Sequence, residues 1–214
     1  MSVEEKDSQQ PAPKKGRGQS GSVSRRLILD VAAAMFSAQG FTETSMREIA
    51  AKAGMRAPSV YYHFTSKEQI LSEILSIAIR STNLAVRESV ERLPADAAPR
   101  RKVEAAVGAH VRSLHRNIHY TATSVRYQGQ VPQEVALNVR ADRETYADYW
   151  QQLLAEAAAS GDLSPTINRQ FLQPLILGSM NHTINWYDAG RGNLEELILT
   201  VLALFKGMWP HQDR

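Results

Sequence analysis

From Ser22 onward, apolar residues recur at helical three- and four-residue spacing in nearly every segment, and no stretch alternates as a half-buried strand does. That periodicity constrains the chain to an all-α fold. The first helix reads as 24–39, with Leu27, Val31, Ala34, Met35 and Ala38 on one face and Gly40 as its stop. Ser45-Met46-Arg47-Glu48 is a capping box that starts a short helix ending near Gly54. A third helix carries Pro58 in its first turn, where a missing N–H costs little. Ser66-Lys67-Glu68-Gln69 reads as a second capping box, opening a long helix to about Leu93. Beyond the break at 94–99, the pattern gives helices over 100–117, 120–127, Pro132 to just before Gly161, 168–187 and 194–208. Such lengths with short turns suit an antiparallel bundle.

Composition removes several function classes. With no cysteine in 214 residues, a disulfide scaffold, an iron–sulfur cluster and a thiol nucleophile are excluded. No apolar run approaches a membrane span, and the N-terminus lacks the apolar stretch of a signal peptide, so a soluble, cytoplasmic protein with no membrane partner is expected. Residues 1–21 are rich in Gln, Pro, Gly, Ser and Lys and read as a disordered basic arm. Residues 1–67 hold ten lysines and arginines against six acids, a net +4, whereas the remainder is net −1. A basic end on a near-neutral body suits a polyanion-binding module, though a basic tail alone gives the same asymmetry.

The segment Met46 to Lys67 (MREIAAKAGMRAPSVYYHFTSK) carries the inference. Two short helices joined at Ala53-Gly54-Met55 have the layout of a helix-turn-helix. Ile49, Ala50 and Ala53 face inward on the first, Val60 and Phe64 on the second. Arg56, Ala57, Ser59, Tyr61, Tyr62 and His63 are left on the outer face, where a recognition helix needs an unobstructed polar surface. Small residues permit close approach, Arg56 can reach guanine or a phosphate, and a tyrosine offers a ring to thymine methyls and a hydroxyl to phosphate. The two tyrosines could equally divide between packing and surface. Lys67 opens a helix, where its charge opposes the macrodipole, so a phosphate contact would explain it. Arg25, Arg26 and the cluster from Lys14 to Arg17 suit either DNA contact or a solvated tail.

Over about residues 25–72 the chain resembles the TetR family of bacterial transcriptional regulators. The matching residues are Ala32 to Phe36, Gly40-Phe41, Thr44-Ser45-Met46, Ile49-Ala50, Ala53-Gly54, Ser59 to Phe64 and Lys67-Glu68. The resemblance implies an N-terminal three-helix DNA-binding domain (22–67) and a C-terminal helical ligand-binding and dimerisation domain (68–214). By position it puts DNA contacts on Thr44, Ser45, Arg56 through His63, and Lys67. Ala57-Pro58 departs from the Lys or Ser followed by Gly of many members, so a lysine phosphate contact is absent, with Arg56 in its place.

In the body, Tyr127, Tyr146, Tyr149, Trp150 and Phe171 are apolar with polar tips, as a hydrophobic ligand site requires, and would look the same in a filled core. Arg126, Arg140 and Arg143 would suit a phosphate-bearing ligand such as an acyl-CoA, or a solvated surface. His110, His115 and His119 lack a spaced carboxylate, so no metal and no cofactor are expected. The last two helices are apolar around most of their circumference, so both sides must be buried. The resemblance assigns them to a homodimer interface, here Leu175, Gly178, Ser179, Ile198, Leu202 and Phe205; completion of a monomer core is the alternative. No thiol, Gly-rich phosphate loop or Ser/His/Asp motif points to an enzyme. The expected function is a dimeric repressor on a near-palindromic operator, released by a small apolar or acyl-CoA-like effector. An effector-independent activator or architectural DNA-binding protein is the alternative.

Overall fold

A computed structural model describes residues 17–209. Ten α-helices lie among them: α1 (Arg17–Ala38), α2 (Met46–Lys52), α3 (Ala57–His63), α4 (Lys67–Glu91), α5 (Pro99–Arg116), α6 (Ile118–Arg126), α7 (Gln133–Asn138), α8 (Arg140–Ala159), α9 (Arg169–His182) and α10 (Leu194–Leu204). No strand occurs among the described residues. Short 3-10 turns follow α9 and α10. Residues 1–16 of the expected arm lie outside the described residues, but 17–21, read as part of that arm, form the first turns of α1.

The caps follow local chemistry. Ser45 accepts from the Glu48 N–H at 3.2 Å while the Glu48 carboxylate accepts from the Ser45 N–H at 2.8 Å, a complete capping box. The second box closes differently. Ser66 accepts from the Gln69 N–H at 3.1 Å, but the Gln69 carbonyl reaches one residue further back, to the Thr65 N–H at 2.7 Å. Gly40 (φ +103°) and Gly54 (φ +67°) hold turns that a side chain would strain.

Two apolar cores organise the helices. The first joins Ile28, Ala32, Phe36, Ile49, Val60 and Phe64 of the head to Ile70, Leu71, Ile74 and Leu75 of α4. Tyr120 of α6 and the Val135/Val139 pair complete it. The second joins Val86 of α4 to α5, α8, α9 and α10, with Trp150 at its centre and Met208 and Trp209 closing one end. The head core therefore continues past Lys67 into α4, α6 and α7.

The single helix expected from Pro132 to Gly161 is two. It breaks at Val139, whose ψ is 0° rather than helical. Val135 and Val139 are both fully buried in the head core. The stripe of Tyr146, Tyr149, Trp150 and Leu153 on α8 belongs to the other core. One straight helix cannot aim both stripes at cores on different sides, so the chain bends where it crosses between them.

Phe36 is fully buried and meets Phe41 edge-on at 5.2 Å between ring centroids. Phe36→Ala should cost about 3–5 kcal/mol, read as a lowered denaturant midpoint, with the head losing structure first in hydrogen exchange.

Candidate DNA interface and ligand cavity

The recognition helix α3 is held down by two anchors. Val60 is fully buried and Phe64 is 1% exposed, whereas Tyr61 is 51% and Tyr62 85% exposed. Arg56 is the N-cap residue of α3 but makes no side-chain cap bond, and it is solvent-exposed with Pro58 and Ser59. Ala57 is half-buried against the head core, and half-buried His63 stands edge-on to Tyr62 at 5.1 Å. Exposed Ser45 and Arg47 share a shallow groove with Tyr61. Ser45, Arg47, Arg56, Ser59, Tyr61 and Tyr62 are all exposed, and the groove of Ser45, Arg47 and Tyr61 also holds Lys67; the position of Arg47 beside Tyr61 depends on how α2 and α3 pack, which spacing alone does not give.

Two expected contacts are spent inside the protein. Thr44 is 1% exposed; its hydroxyl donates to the Gly40 carbonyl at 2.7 Å and accepts from Gln39 Nε2 at 3.3 Å. Lys67 Nζ donates to the carbonyls of Phe41, Thr42 and Thr44 at 3.0, 3.2 and 3.1 Å and sits 4.5 Å from the Phe41 ring centroid. Its three protons are all used, so the cation at a helix start is explained by a loop that turns three carbonyls toward it. Arg25 makes a two-pronged ion pair with Glu73 and lies 4.6 Å over the Phe64 ring. Arg26 pairs with Asp30 at 3.0 Å and lies over Tyr120. Both brace the head instead of projecting freely.

Below the head is a cavity of about 570 Å³ bounded by α4, α5, α6, α8 and α9, within the range of small-molecule sites. Ile79, Leu114, Val125 and Leu177 supply apolar wall. Of the five expected ligand residues, Tyr146 lines it. Trp150, one turn further along α8, is fully buried in the body core, and Tyr149 packs under Arg87, 4.1 Å from its ring centroid. Tyr127 serves the head, its hydroxyl accepting from the Phe41 N–H at 2.5 Å. Phe171 is 61% exposed on α9. Amphipathic character marked these residues, but the direction of each side chain depends on which core its helix meets.

At the cavity floor His110 is buried. Its Nδ1 lies 2.5 Å from the Tyr146 hydroxyl and its Nε2 3.0 Å from Asn181 Oδ1. A Tyr146 O–H donating to Nδ1 and an Nε2–H donating to Asn181 satisfy a neutral ring. Burial pulls the His110 pKa down to about 4 and pushes that of Tyr146 up. His115 contacts Thr183 at 3.1 Å and His119 contacts Ser37 at 3.3 Å, so the three histidines face separate partners. At the rim Arg143 is half-buried, and burial with no carboxylate beside it lowers its pKa, although guanidinium stays cationic.

The expected dimer residues divide. Leu175, Gly178 and Ser179 of α9 are exposed, and Gly178 also borders the cavity. Ile198 is 3% exposed in the body core, with Leu202 and Phe205 half-buried against it. The apolar residues that α10 turns outward are instead Leu199 and Leu204, at 65% and 76% exposure. Sequence marked α10 as apolar all round; packing on α5 decided which side was consumed.

Two outcomes follow from this geometry. Lys67→Met should lower stability by about 1–3 kcal/mol in chemical denaturation, with the slope of log DNA affinity on log salt unchanged; a slope reduced by about 0.9 would instead place Lys67 on a phosphate. His110 binds its proton more weakly folded than unfolded, so the unfolded chain takes up an extra proton between about pH 6.5 and about 4. Stability should fall as pH drops through that window, and His110→Gln should flatten the fall in pH-dependent melting.

The comparisons fit this geometry. Residues 28–74 match the model of bacterial regulatory proteins, tetR family, and residues 96–208 match the tetracyclin repressor-like C-terminal domain. The HTH-type transcriptional repressor KstR2 of Mycolicibacterium smegmatis is 27% identical over 172 residues, covering 78% of this chain and 80% of that protein. The solved ketosteroid regulator KstR2 of Mycobacterium tuberculosis superposes with TM-score 0.75 at 22% identity, over 87% of this chain and 95% of that one. AibR in complex with isovaleryl coenzyme A and operator DNA superposes with TM-score 0.75 at 21% identity, over 87% and 98%. With both of its halves matched, the chain belongs to the TetR family and is a DNA-binding transcriptional regulator, not an enzyme.

Proposed function

We propose that this regulator is a homodimeric repressor of a near-palindromic operator that releases DNA when a small effector, apolar or acyl-linked like an acyl-CoA, fills the cavity. The observation that carries the reading is the division of labour on α6. Tyr120, Thr123 and Arg126 bond to Asp30 (2.6 Å), the Ala33 carbonyl (3.2 Å) and the Ser37 carbonyl (2.9 Å) of α1, and the adjoining Tyr127 holds Phe41. Thr121, Ser124 and Val125 of the same helix line the cavity. An occupant that bears on one face of α6 bears on the head through the other, and α4 borders the cavity with Ala78, Ile79 and Thr82. To act, the effector must bind one head spacing more tightly than another. Metabolites that leave operator affinity untouched would favour the effector-independent alternative.

The apolar residues Phe171 and Leu175 of α9 and Leu199 and Leu204 of α10 are exposed, which supports these two helices as the place where a second copy would pack. Leu199→Arg should convert dimer to monomer in light scattering and abolish cooperative operator binding, and an unchanged dimer would sink the interface. On the DNA face, Arg56→Ala should lower discrimination at one operator position per half-site by about 1–3 kcal/mol. Titrations on operator and scrambled DNA check this: equal weakening of both would make Arg56 a phosphate clamp. Tyr61, Tyr62, Ser59, Ser45 and His63 complete the proposed contact surface.

A further inference from the structure

We infer that the cavity selects an amphipathic monoanion, an apolar skeleton bearing one free carboxylate held by Arg143, and not a polyanionic coenzyme thioester. The inference rests on the cavity being the effector site. Arg143 is the one charged residue among those lining the cavity, and no carboxylate lines it. Its guanidinium is half-buried without an ion pair, hydrogen bond or ring contact among the described residues. A partly desolvated cation with no partner favours an anion that arrives with the ligand, and a guanidinium fork matches a carboxylate in two-pronged geometry.

Three cations on the neighbouring helices are committed, and Arg169, beside Gln170, borders a separate groove with Gln151 and Leu154 and is not part of the cavity lining. Arg126 donates to the Ser37 carbonyl at 2.9 Å, Arg140 to Glu144 at 2.6 Å, and Arg80 to Asp142 at 2.8 Å. The single positive charge of the lining balances one carboxylate; the several negative charges of coenzyme A would need more. Arg143, Tyr146 and Ala147 follow at i, i+3 and i+4 on α8, so the rim charge and the neutral floor lie on one stripe about one helical turn apart. Tyr146 and Asn181 already bond to His110, and Ile79, Leu114, Val125 and Leu177 offer contact to a hydrocarbon skeleton among uncharged polar residues such as Thr82, Thr121 and Ser124.

The test is a fluorescence titration of the full chain, without DNA, using anilinonaphthalene sulfonate and its uncharged counterpart N-phenylnaphthylamine. Arg143→Gln should weaken the sulfonate probe on the order of tenfold and leave the neutral one unchanged, while Arg143→Lys should recover most of the loss. Decanoate should displace the neutral probe from the wild-type chain better than decanol or decanoyl-coenzyme A, and Arg143→Gln should erase that preference. Leu177→Trp, which fills the wall, should weaken both probes. Equal effects of Arg143→Gln on both probes, displacement by the coenzyme thioester where decanoate fails, or binding that survives Leu177→Trp would overturn the inference. Because no DNA is present, a chain that prefers the anion yet binds no operator would uphold this inference and sink only the repressor reading.

Discussion

Everything in this molecule hangs on α4, a helix of 25 residues that belongs to two cores at once. Its first half gives Ile70, Leu71, Ile74 and Leu75 to the head, its second half gives Val86 to the body, and Ile79 packs against both. A fully buried aliphatic side chain contributes roughly 1.5–3 kcal/mol, so neither core can shed the helix cheaply. In the proposed reading, a displacement of α4 at the cavity would reach α3 through the head core that both helices share. The Arg25–Glu73 pair and the three carbonyls gathered by Lys67 fix the rest of the head to the same helix.

The α6 helix forms a second link: of its nine residues, Tyr120, Thr123 and Arg126 bond to α1 while Thr121, Ser124 and Val125 line the cavity. Polar side chains suit the head-facing positions because they meet the Asp30 carboxylate, the Ala33 and Ser37 carbonyls and, from Tyr127, the Phe41 N–H. Gly40 belongs to this join: it adopts a left-handed backbone, and a Cβ there would meet the Tyr127 hydroxyl at 3.3 Å. The body thus grips the turn that precedes α2, close to the surface that presents Ser45 and Tyr61.

The cavity is polar in a graded way. The half-buried Arg143 supplies one charge, aliphatic and uncharged polar residues share the walls, and the buried His110 joins Tyr146 and Asn181 in a neutral hydrogen-bonded trio. Burying His110 uncharged avoids the cost of a desolvated imidazolium, and its two ring nitrogens remain satisfied because one neighbour donates and the other accepts.

The sequence by itself determined the helical class, the turn at Gly54, the Ser45 capping box and the inward Val60/Phe64 pair, because each depends on residues within a turn or two of one another; the break at Val139 was not legible there, since it depends on two cores. It also determined the outer face of α3, since once two anchors at i, i+4 are fixed the remaining positions can only point away. Tertiary structure decided what depends on partners distant along the chain. Thr44 and Lys67 are polar residues in a DNA-binding motif, and only the fold shows them bonded to Gly40 and to the carbonyls of residues 41, 42 and 44. Tyr127, Tyr146, Tyr149, Trp150 and Phe171 are alike as amphipathic side chains, yet one lines the cavity, one braces the head, two fill the core and one faces outward. Periodicity gives the angle of a side chain about its own helix; what lies at that angle is set by how the helices cross.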